Sequence, residues 1–504
     1  MPTWTRGAAT LAAAVLLTFV PSTALASPPT FAPANGYHKH VCAKVTGHVA
    51  RCNADVVTDA AGNPLTTTTP VSGYWPGDLQ SAYALAGAAA TAGAGQTVAI
   101  VDAYDAPNAE ADLGVYRSNF GLPPCTTDNG CFKKVNQSGG ATPPAANGGW
   151  AQEISLDLDM VSAICPNCHI LLVEANSASY SDLATAVDRA VAMGATQISN
   201  SYGGSETFSG SYESHYNHAG VAITASSGDS GYGVEFPASS PHVTAVGGTS
   251  LSPASNTRGW SETAWSGAGS GCSSVFSKPA WQTDTGCSRR AVADVSAVAN
   301  PNTGVAVYDS YAYQGAAGWM VFGGTSVASP IVAAVNALTG GGSAGMAYGA
   351  FPYTHASDFF DVMSGSNGSC GGTYLCAAGV GYDGPTGIGT PNVAAVGGTT
   401  PPPTAPTNTG APAISGSAKD FQTLTASTGT WDGSPTSYGY QWQRCTPTCA
   451  DITGATGSTY TVTDTDVGNT LRVAVIATNV GGVVDLLGPP REAPAEGAGS
   501  EPPD

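Results

Sequence analysis

Charge is what this sequence has least of. Asp, Glu, Lys and Arg together make up 10% of the 504 residues, with 16 basic side chains against 35 acidic ones and a net charge of −19. A chain so poor in cations offers no basic stripe for nucleic acid and no polybasic surface for an anionic membrane. Long apolar runs are also scarce: after Val20 no stretch is long and apolar enough to span a bilayer. A histidine in a helix-opening Gly/Thr setting is missing too. His169, His215, His218 and His242 lie elsewhere and read as structural or surface groups, which counts against a hydrolase that uses imidazole as its base. Disorder is excluded, because 42% of the residues are hydrophobic; 65 glycines with frequent Ser and Thr describe a loop-rich extracellular composition.

The apolar run from Ala8 to Val20 follows Arg6 and precedes Ala24-Leu25-Ala26. It reads as a secretory signal, residues 1–26, cleaved between Ala26 and Ser27. Twelve cysteines in an exported chain imply disulfides. They fall as near neighbours, so local pairing is expected: Cys42/Cys52, Cys125/Cys131, Cys165/Cys168, Cys272/Cys287, Cys370/Cys376 and Cys445/Cys449. Cys165-Pro-Asn-Cys168 follows a helical stretch, where the dipole raises a thiol pKa, so a structural bridge is expected there and not a redox or zinc site.

Residues 27–73 are Pro-, Thr- and Ala-rich and read as a short pro-segment or N-terminal extension. From Tyr74 to 396 strands alternate with helices. Apolar strands are expected at Thr97–Val101, Ile170–Val173, Gln197–Ser199, Val221–Ala225 and Val243–Val246, and helices at Trp150–Cys165 and Ser181–Met193. Continuous apolar strands alternating with helices predict an α/β fold: a parallel sheet with helices on both faces and a site at the carboxyl ends of the strands. Residues 397–413 form a Pro/Thr-rich linker. In residues 414–490, Tyr438–Gln443, Tyr460–Val462 and Leu471–Val475 alternate at period two, which predicts a small all-β sandwich. Trp442, and Tyr460 ahead of Asp466-Val467-Gly468, resemble bacterial Ig-like modules. Residues 491–504 read as a disordered polar tail.

Three short stretches carry chemistry. Gly323-Gly324-Thr325-Ser326 leads into the apolar run Ile331–Leu338, so Ser326 sits at a helix start beside free N–H groups, a setting that suits a nucleophile whose target becomes an oxyanion. Glu153 and Asp157 are four apart, hence side by side on one helix face, where one acid tends to hold a proton while the other is ionised. Asp229 lies in Ser226-Ser227-Gly228-Asp229-Ser230-Gly231, directly after a strand; protonated, it could donate to an oxyanion. Each stretch has an ordinary structural explanation when taken alone.

Together, and in this order, Glu153-x-x-x-Asp157, Ser227-Gly-Asp229-Ser-Gly231 and Gly324-Thr-Ser326-x-x-Ser329-Pro330 resemble the sedolisin (serine-carboxyl) peptidases, secreted endopeptidases with a subtilisin-like fold. The resemblance implies Ser326 as nucleophile, Glu153 as its general base and acid, Asp157 as the residue that orients Glu153, and Asp229 as oxyanion donor. It implies bound Ca²⁺ held by the Asp361 and Asp383 side chains and the Val362, Gly379 and Gly381 carbonyls. Asp102, where subtilisins carry their aspartate, reads as a loop hydrogen-bonder. Ser199–Gly203 is the candidate strand for pairing with extended substrate. The expected partners are protein or peptide substrates, with a glycan, cell wall or protein for the Ig-like domain, and a monomer is expected. The other reading is an inactive peptidase-like adhesin that works through its Ig-like domain.

Overall fold

A computed structural model describes residues 36–69, 72–339, 348–394, 407–432, 435, 437–446, 448–479, 482–488 and 491–492. The stretch read as a signal, residues 1–26, and most of the residues read as linker and tail lie outside the described residues. Among the described residues no helix is long and apolar enough to cross a membrane.

Three short strands come first: β1 (His38–His40), β2 (Arg51–Cys52) and β3 (Asp55–Val57). Helices α1 (Pro76–Ala82) and α2 (Ala86–Thr91) precede an alternating run: β4 (Thr97–Ala103), α3 (Ala109–Asn119), β5 (Phe132–Asn136), α4 (Gly148–Ile164), β6 (His169–Ala175), α5 (Tyr180–Ala192) and β7 (Gln197–Asn200). There follow β8 (Tyr202–Ser205), β9 (Ala222–Ser226), β10 (Glu235–Phe236), β11 (Thr244–Pro253), β12 (Trp260–Ala264), β13 (Gly271–Ser277), β14 (Arg289–Val292), β15 (Val295–Val298), β16 (Val305–Tyr313) and β17 (Ala316–Gly323), which delivers the chain into α6 (Thr325–Leu338).

The main sheet has the order β12-β11-β9-β7-β4-β6-β5, with β15 also paired to β11. Its pairings are parallel apart from the β11–β12 edge. Val98–Ala103, Ile170–Ala175 and all of β7 and β9 are buried. Successive strand residues point to opposite faces, so unbroken burial means that both faces are covered, as the apolar runs predict.

α4 is capped by Asn147, whose side chain accepts from the Gly149 and Trp150 N–H groups, and it is buried from Gly149 to Ile164. A helix buried all round is normally apolar all round. This one carries Glu153, Asp157 and Asp159, all buried. α6 packs against α4 and crosses over β7 and β9, which brings the start of α6 to the carboxyl ends of the central strands.

The stretch 36–69 is folded into the same core, where Val41, Ala50, Cys52, Ala54 and Val56 are buried. β3 pairs antiparallel with both β1 and β17, and β2 pairs antiparallel with β8. All six local disulfides are present.

The C-terminal region is all β. Ser437–Cys445 pairs antiparallel with Thr470–Asn479, which also pairs with Gly482–Leu487. Thr423–Ala426 joins Ile414–Ser415 and Thr459–Thr461. Trp442 is buried among Leu424, Val462, Leu471, Val473 and Val475, with its Nε1 donating to the Gly457 carbonyl at 2.9 Å.

One buried ion pair ties the floor of the α/β domain together. Arg290 and Asp294 are both fully buried and meet at 2.5 Å. Asp294 also accepts from the Ala245 N–H (2.7 Å) and the Tyr353 hydroxyl (2.9 Å). Removing one partner would leave a buried charge uncompensated. Asp294→Ala should cost about 3–5 kcal/mol, read as a lower urea midpoint at unchanged m-value.

Candidate active site

The first turn of α6 is shaped by two residues that do little chemistry themselves. Gly324 caps the helix at φ 100°, a left-handed conformation open to glycine. A Cβ at Gly324 would also lie 2.2 Å from the Asn53 carbonyl oxygen and 2.5 Å from Asp229 Oδ2. Pro330, inside the helix, has no N–H to offer the Ser326 carbonyl four residues back; the Ser201 hydroxyl approaches that carbonyl instead, at 3.4 Å.

Around this turn the predicted residues converge. Ser326, Glu153 and Asp157 have no solvent exposure, and Asp229 is buried. The Ser326 hydroxyl donates to the Ser201 carbonyl at 3.0 Å. Ser201 Oγ donates to Asp157 Oδ1 at 2.7 Å. Both Glu153 carboxyl oxygens lack a hydrogen-bond partner among the described residues. Ser326 is still near enough to pull the Glu153 pKa down, although its hydroxyl points to Ser201 in this conformation. That pull is overridden: burial pushes Glu153 well above the usual carboxyl range, and the Asp157 and Asp102 charges add to the rise. Burial likewise pushes Asp157 up.

Asp229 is divided in function between its two oxygens. Oδ1 accepts from the Thr325 N–H (2.7 Å) and the Thr325 hydroxyl (2.8 Å). Oδ2 has no described partner and lies beside Gly324 together with the Asn53 carbonyl oxygen. Burial, then the Asp55 charge, raises the Asp229 pKa well above its ordinary value. A neutral carboxyl can donate a hydrogen bond from its unpartnered oxygen. The Ser326 N–H donates to that same carbonyl of Asn53, at 2.9 Å. One backbone donor thus sits on this carbonyl oxygen, and the unpartnered Asp229 oxygen lies near the same glycine.

Asp102 departs from expectation. It lies within β4, not in a loop, and neither carboxyl oxygen has a hydrogen-bond partner among the described residues. Burial, then Asp157 and Glu174, pushes its pKa well up. Its own stretch, Val98–Val101, is apolar like any buried strand, and nothing local says which acids face it. The roles of Ser201 and Thr325 beside the carboxyl groups were equally invisible, since the contacts span 44 and 96 residues. Three of the histidines singled out in the sequence pair with other acids: His215 and His218 meet Asp188, and His242 meets Glu213.

The five predicted calcium ligands gather at one loop. Gly381 N–H donates to Asp361 Oδ2 at 2.9 Å and Gly379 N–H to Asp383 Oδ2 at 3.0 Å. The Val362, Gly379 and Gly381 carbonyls accept no hydrogen bond from a described residue. Neither carboxylate has a Lys, Arg or His partner among the described residues. Burial, with Asp361 adding, pushes Asp383 up to about 7. Two uncompensated carboxylates and three free carbonyls are a donor set that fits a hard divalent cation. A second metal-capable group, His40, Asp55 and Asp229, has ligand atoms within 4.8 Å of one another; there Asp55 is already held by the His38 and His40 rings at 2.9 Å each.

Comparison with known proteins bears on the fold that carries this site. Residues 133–346 match the family model described as the subtilase family, Peptidase_S8. The solved Pseudomonas sedolisin, a serine-carboxyl proteinase complexed with pseudo-iodotyrostatin, superposes with a TM-score of 0.54 at 27% identity, covering 65% of this chain and 97% of that one. The α/β domain is subtilisin-like. Among curated proteins, kumamolisin of Bacillus sp. (strain MN-32) is 29% identical over 360 residues, 63% of this chain and 62% of its own length. Sedolisin of Pseudomonas sp. (strain 101) is 35% identical over 208 residues, 35% of this chain and 34% of its own length. The chain therefore spans less than two thirds of the length of either curated relative.

Buried acids within the subtilisin-like domain also set its stability against pH. Burial pushes Glu174 and Asp309 each up to about 7. An unfolded carboxyl titrates near about 4, so the folded state holds protons that the unfolded chain has released. The stabilisation is complete below about pH 4 and is lost as pH climbs toward about 7. Urea unfolding across that window should give a falling free energy, and Asp309→Asn should make the fall shallower.

Proposed function

We propose that this protein is a secreted serine-carboxyl endopeptidase, hydrolysing peptide bonds of proteins in acid through an acyl-enzyme on Ser326. The observation that carries the reading is the gathering of the buried acids Glu153, Asp157 and Asp229 about the first turn of α6, where Ser201 bridges Asp157 and the Ser326 hydroxyl and Thr325 holds Asp229. Rotation about the Ser326 Cα–Cβ bond would turn its hydroxyl from Ser201 to Glu153. Glu153 then takes the proton as the oxygen attacks, and returns it to the leaving amine. Asp157, held by Ser201, orients Glu153 and keeps its proton affinity high. The Ser326 N–H and protonated Asp229 hold the oxyanion. A carboxylate base and a carboxyl donor both fit acid conditions, where an imidazole base would be protonated.

Secretion is supported by six disulfides and by the signal-like N-terminus. Calcium at Asp361, Val362, Gly379, Gly381 and Asp383 would neutralise the carboxylate pair and clamp the 379–383 loop; its part is structural. The C-terminal region is proposed as an Ig-like accessory module, supported by buried Trp442 and by the Tyr460 hydroxyl donating to Asp466 at 2.7 Å.

Hydrolysis of casein from pH 2 to 8 tests the mechanism. Activity should peak in acid and fall by about 10⁴-fold or more in Ser326→Ala and Glu153→Gln. The alkaline limb follows Asp229, which donates only while protonated and stops as pH rises through its raised pKa. Asp229→Asn keeps a donor at every pH, so its alkaline limb should move upward even where its peak rate drops. Neutral-pH activity that survives Glu153→Gln would overturn the assignment.

Calcium is tested by melting. A chelator should lower Tm, and re-adding Ca²⁺ to about 100 Kd should restore about 2.7 kcal/mol. Asp383→Ala protein should show no response to either.

A further inference from the structure

We propose that His40, Asp55 and Asp229 form a binding site for one divalent transition-metal cation, with Zn²⁺ as its occupant, and that the cation holds Asp229 as a carboxylate with no proton to donate. The site stands on its three side chains. Only the consequence for Asp229 rests on the peptidase reading above.

Three segments far apart in sequence supply one ligand atom each. β1 carries His40, β3 carries Asp55, and the loop after β9 carries Asp229. One ring nitrogen and one oxygen from each carboxyl lie within 4.8 Å of one another. Asp55 and Asp229 are only 2% and 7% exposed. His40 Nδ1, Asp55 Oδ1 and Asp229 Oδ2 are all shut away from water, and none makes a hydrogen bond among the described residues. Asp55 Oδ1 and His40 Nδ1 lie 2.9 Å apart, yet are so oriented that no hydrogen bond forms between them. Buried polar atoms are rarely left without a partner, and one cation would satisfy these three together.

The neighbouring contacts hold each ligand with one atom to spare. Pairing of β1 with β3 sets His40 directly opposite Asp55, so their side chains share a face of the sheet. His38 Nδ1 meets Asp55 Oδ2 at 2.9 Å, which leaves Oδ1 for a metal. The Thr325 N–H and hydroxyl hold Asp229 Oδ1 at 2.7 and 2.8 Å, which leaves Oδ2. Outer partners of this kind orient metal ligands and set the affinity of the site.

Donor chemistry decides the class of ion. Imidazole suits zinc and its transition-metal neighbours, whereas calcium and magnesium take oxygen. One nitrogen and two carboxylate oxygens make a three-ligand zinc set, with the fourth position left to water. Zinc bonds of about 2.0–2.2 Å put tetrahedral ligand atoms about 3.3 Å apart, so the most distant pair has to close by about 1.5 Å at most. Two ionised carboxylates at this range repel each other, and a dication between them removes the repulsion. The His40 side chain is 33% exposed, which gives the ion a way in. Once ligated, the Asp229 oxygen is occupied by the metal and cannot hold an oxyanion.

The test is Zn²⁺ titration of the full chain as its Ser326→Ala form, which lacks the nucleophile, at about pH 7, where imidazole is free to ligate. Ca²⁺ is kept in excess so that the 379–383 loop does not take the zinc. Calorimetry should show one Zn²⁺ per chain, and Co²⁺ in its place should give the visible absorption of a four-coordinate nitrogen and oxygen site. Adding His40→Ala or Asp229→Asn should abolish both signals. His38→Ala should weaken binding by about 10–100-fold, and Asp383→Ala should leave it unchanged. Circular dichroism without metal shows that each variant is folded. No Zn²⁺ binding by the folded parent, binding that survives His40→Ala or Asp229→Asn, or loss of binding in Asp383→Ala would overturn the inference and leave the peptidase reading standing. Zinc binding as expected in a chain whose wild type cuts no casein at any pH would keep the site and overturn the peptidase reading.

Discussion

Carboxyl groups shut away from water, with no cation beside them, are the constraint on which the rest of this structure depends. Asp102, Glu153, Asp157 and Asp229 are all buried, and none pairs with Lys, Arg or His among the described salt bridges. Such groups cannot all be ionised at once in a medium of low polarity. Protons must be shared among them, and a shared proton is what general acid–base chemistry consumes. The helix that carries two of these acids is correspondingly encased, packed by α6 and the sheet, so that water cannot relieve the strain by solvating them.

The glycines and hydroxyls around the site follow from that crowding. Gly324 leaves space for a carbonyl and a carboxyl oxygen where a side chain would stand. Thr325 anchors one oxygen of Asp229 and leaves the other free. Ser201 serves twice, giving its hydroxyl to Asp157 and its carbonyl to the Ser326 hydroxyl. Small polar groups hold one oxygen each of Asp157 and Asp229 without adding charge, so burial still keeps both pKa values high. A lysine in the same place would have pulled them down.

The N-terminal stretch is part of the site's frame. It is woven into the site through β2 and β3, and its Asn53 carbonyl accepts from the Ser326 N–H. The framing works through backbone pairing, which asks little of side-chain identity, and through a disulfide that stiffens the approach to Asn53.

Much of this was legible in the sequence. Unbroken apolar strands between helices can only belong to a sheet covered on both faces, and near-neighbour cysteines can only close small loops easily. Glu153 and Asp157 four apart must share a helix face, and Ser326 must begin a helix once Ile331–Leu338 is helical. These are local relations, set by periodicity and chain connectivity. What the sequence left open is whatever depends on contacts between distant segments. It offered Asp102 as a loop residue because a buried, unpaired acid in a strand defies the ordinary pattern, and only packing of β4 beside α4 makes it tolerable. It offered residues 27–73 as an extension because Asn53 carries no motif; its meaning comes from backbone pairing with β8 and β17, about 150 and 270 residues away. Hydrogen bonds between strands recognise geometry and not residue type, and geometry exists only once the chain has folded.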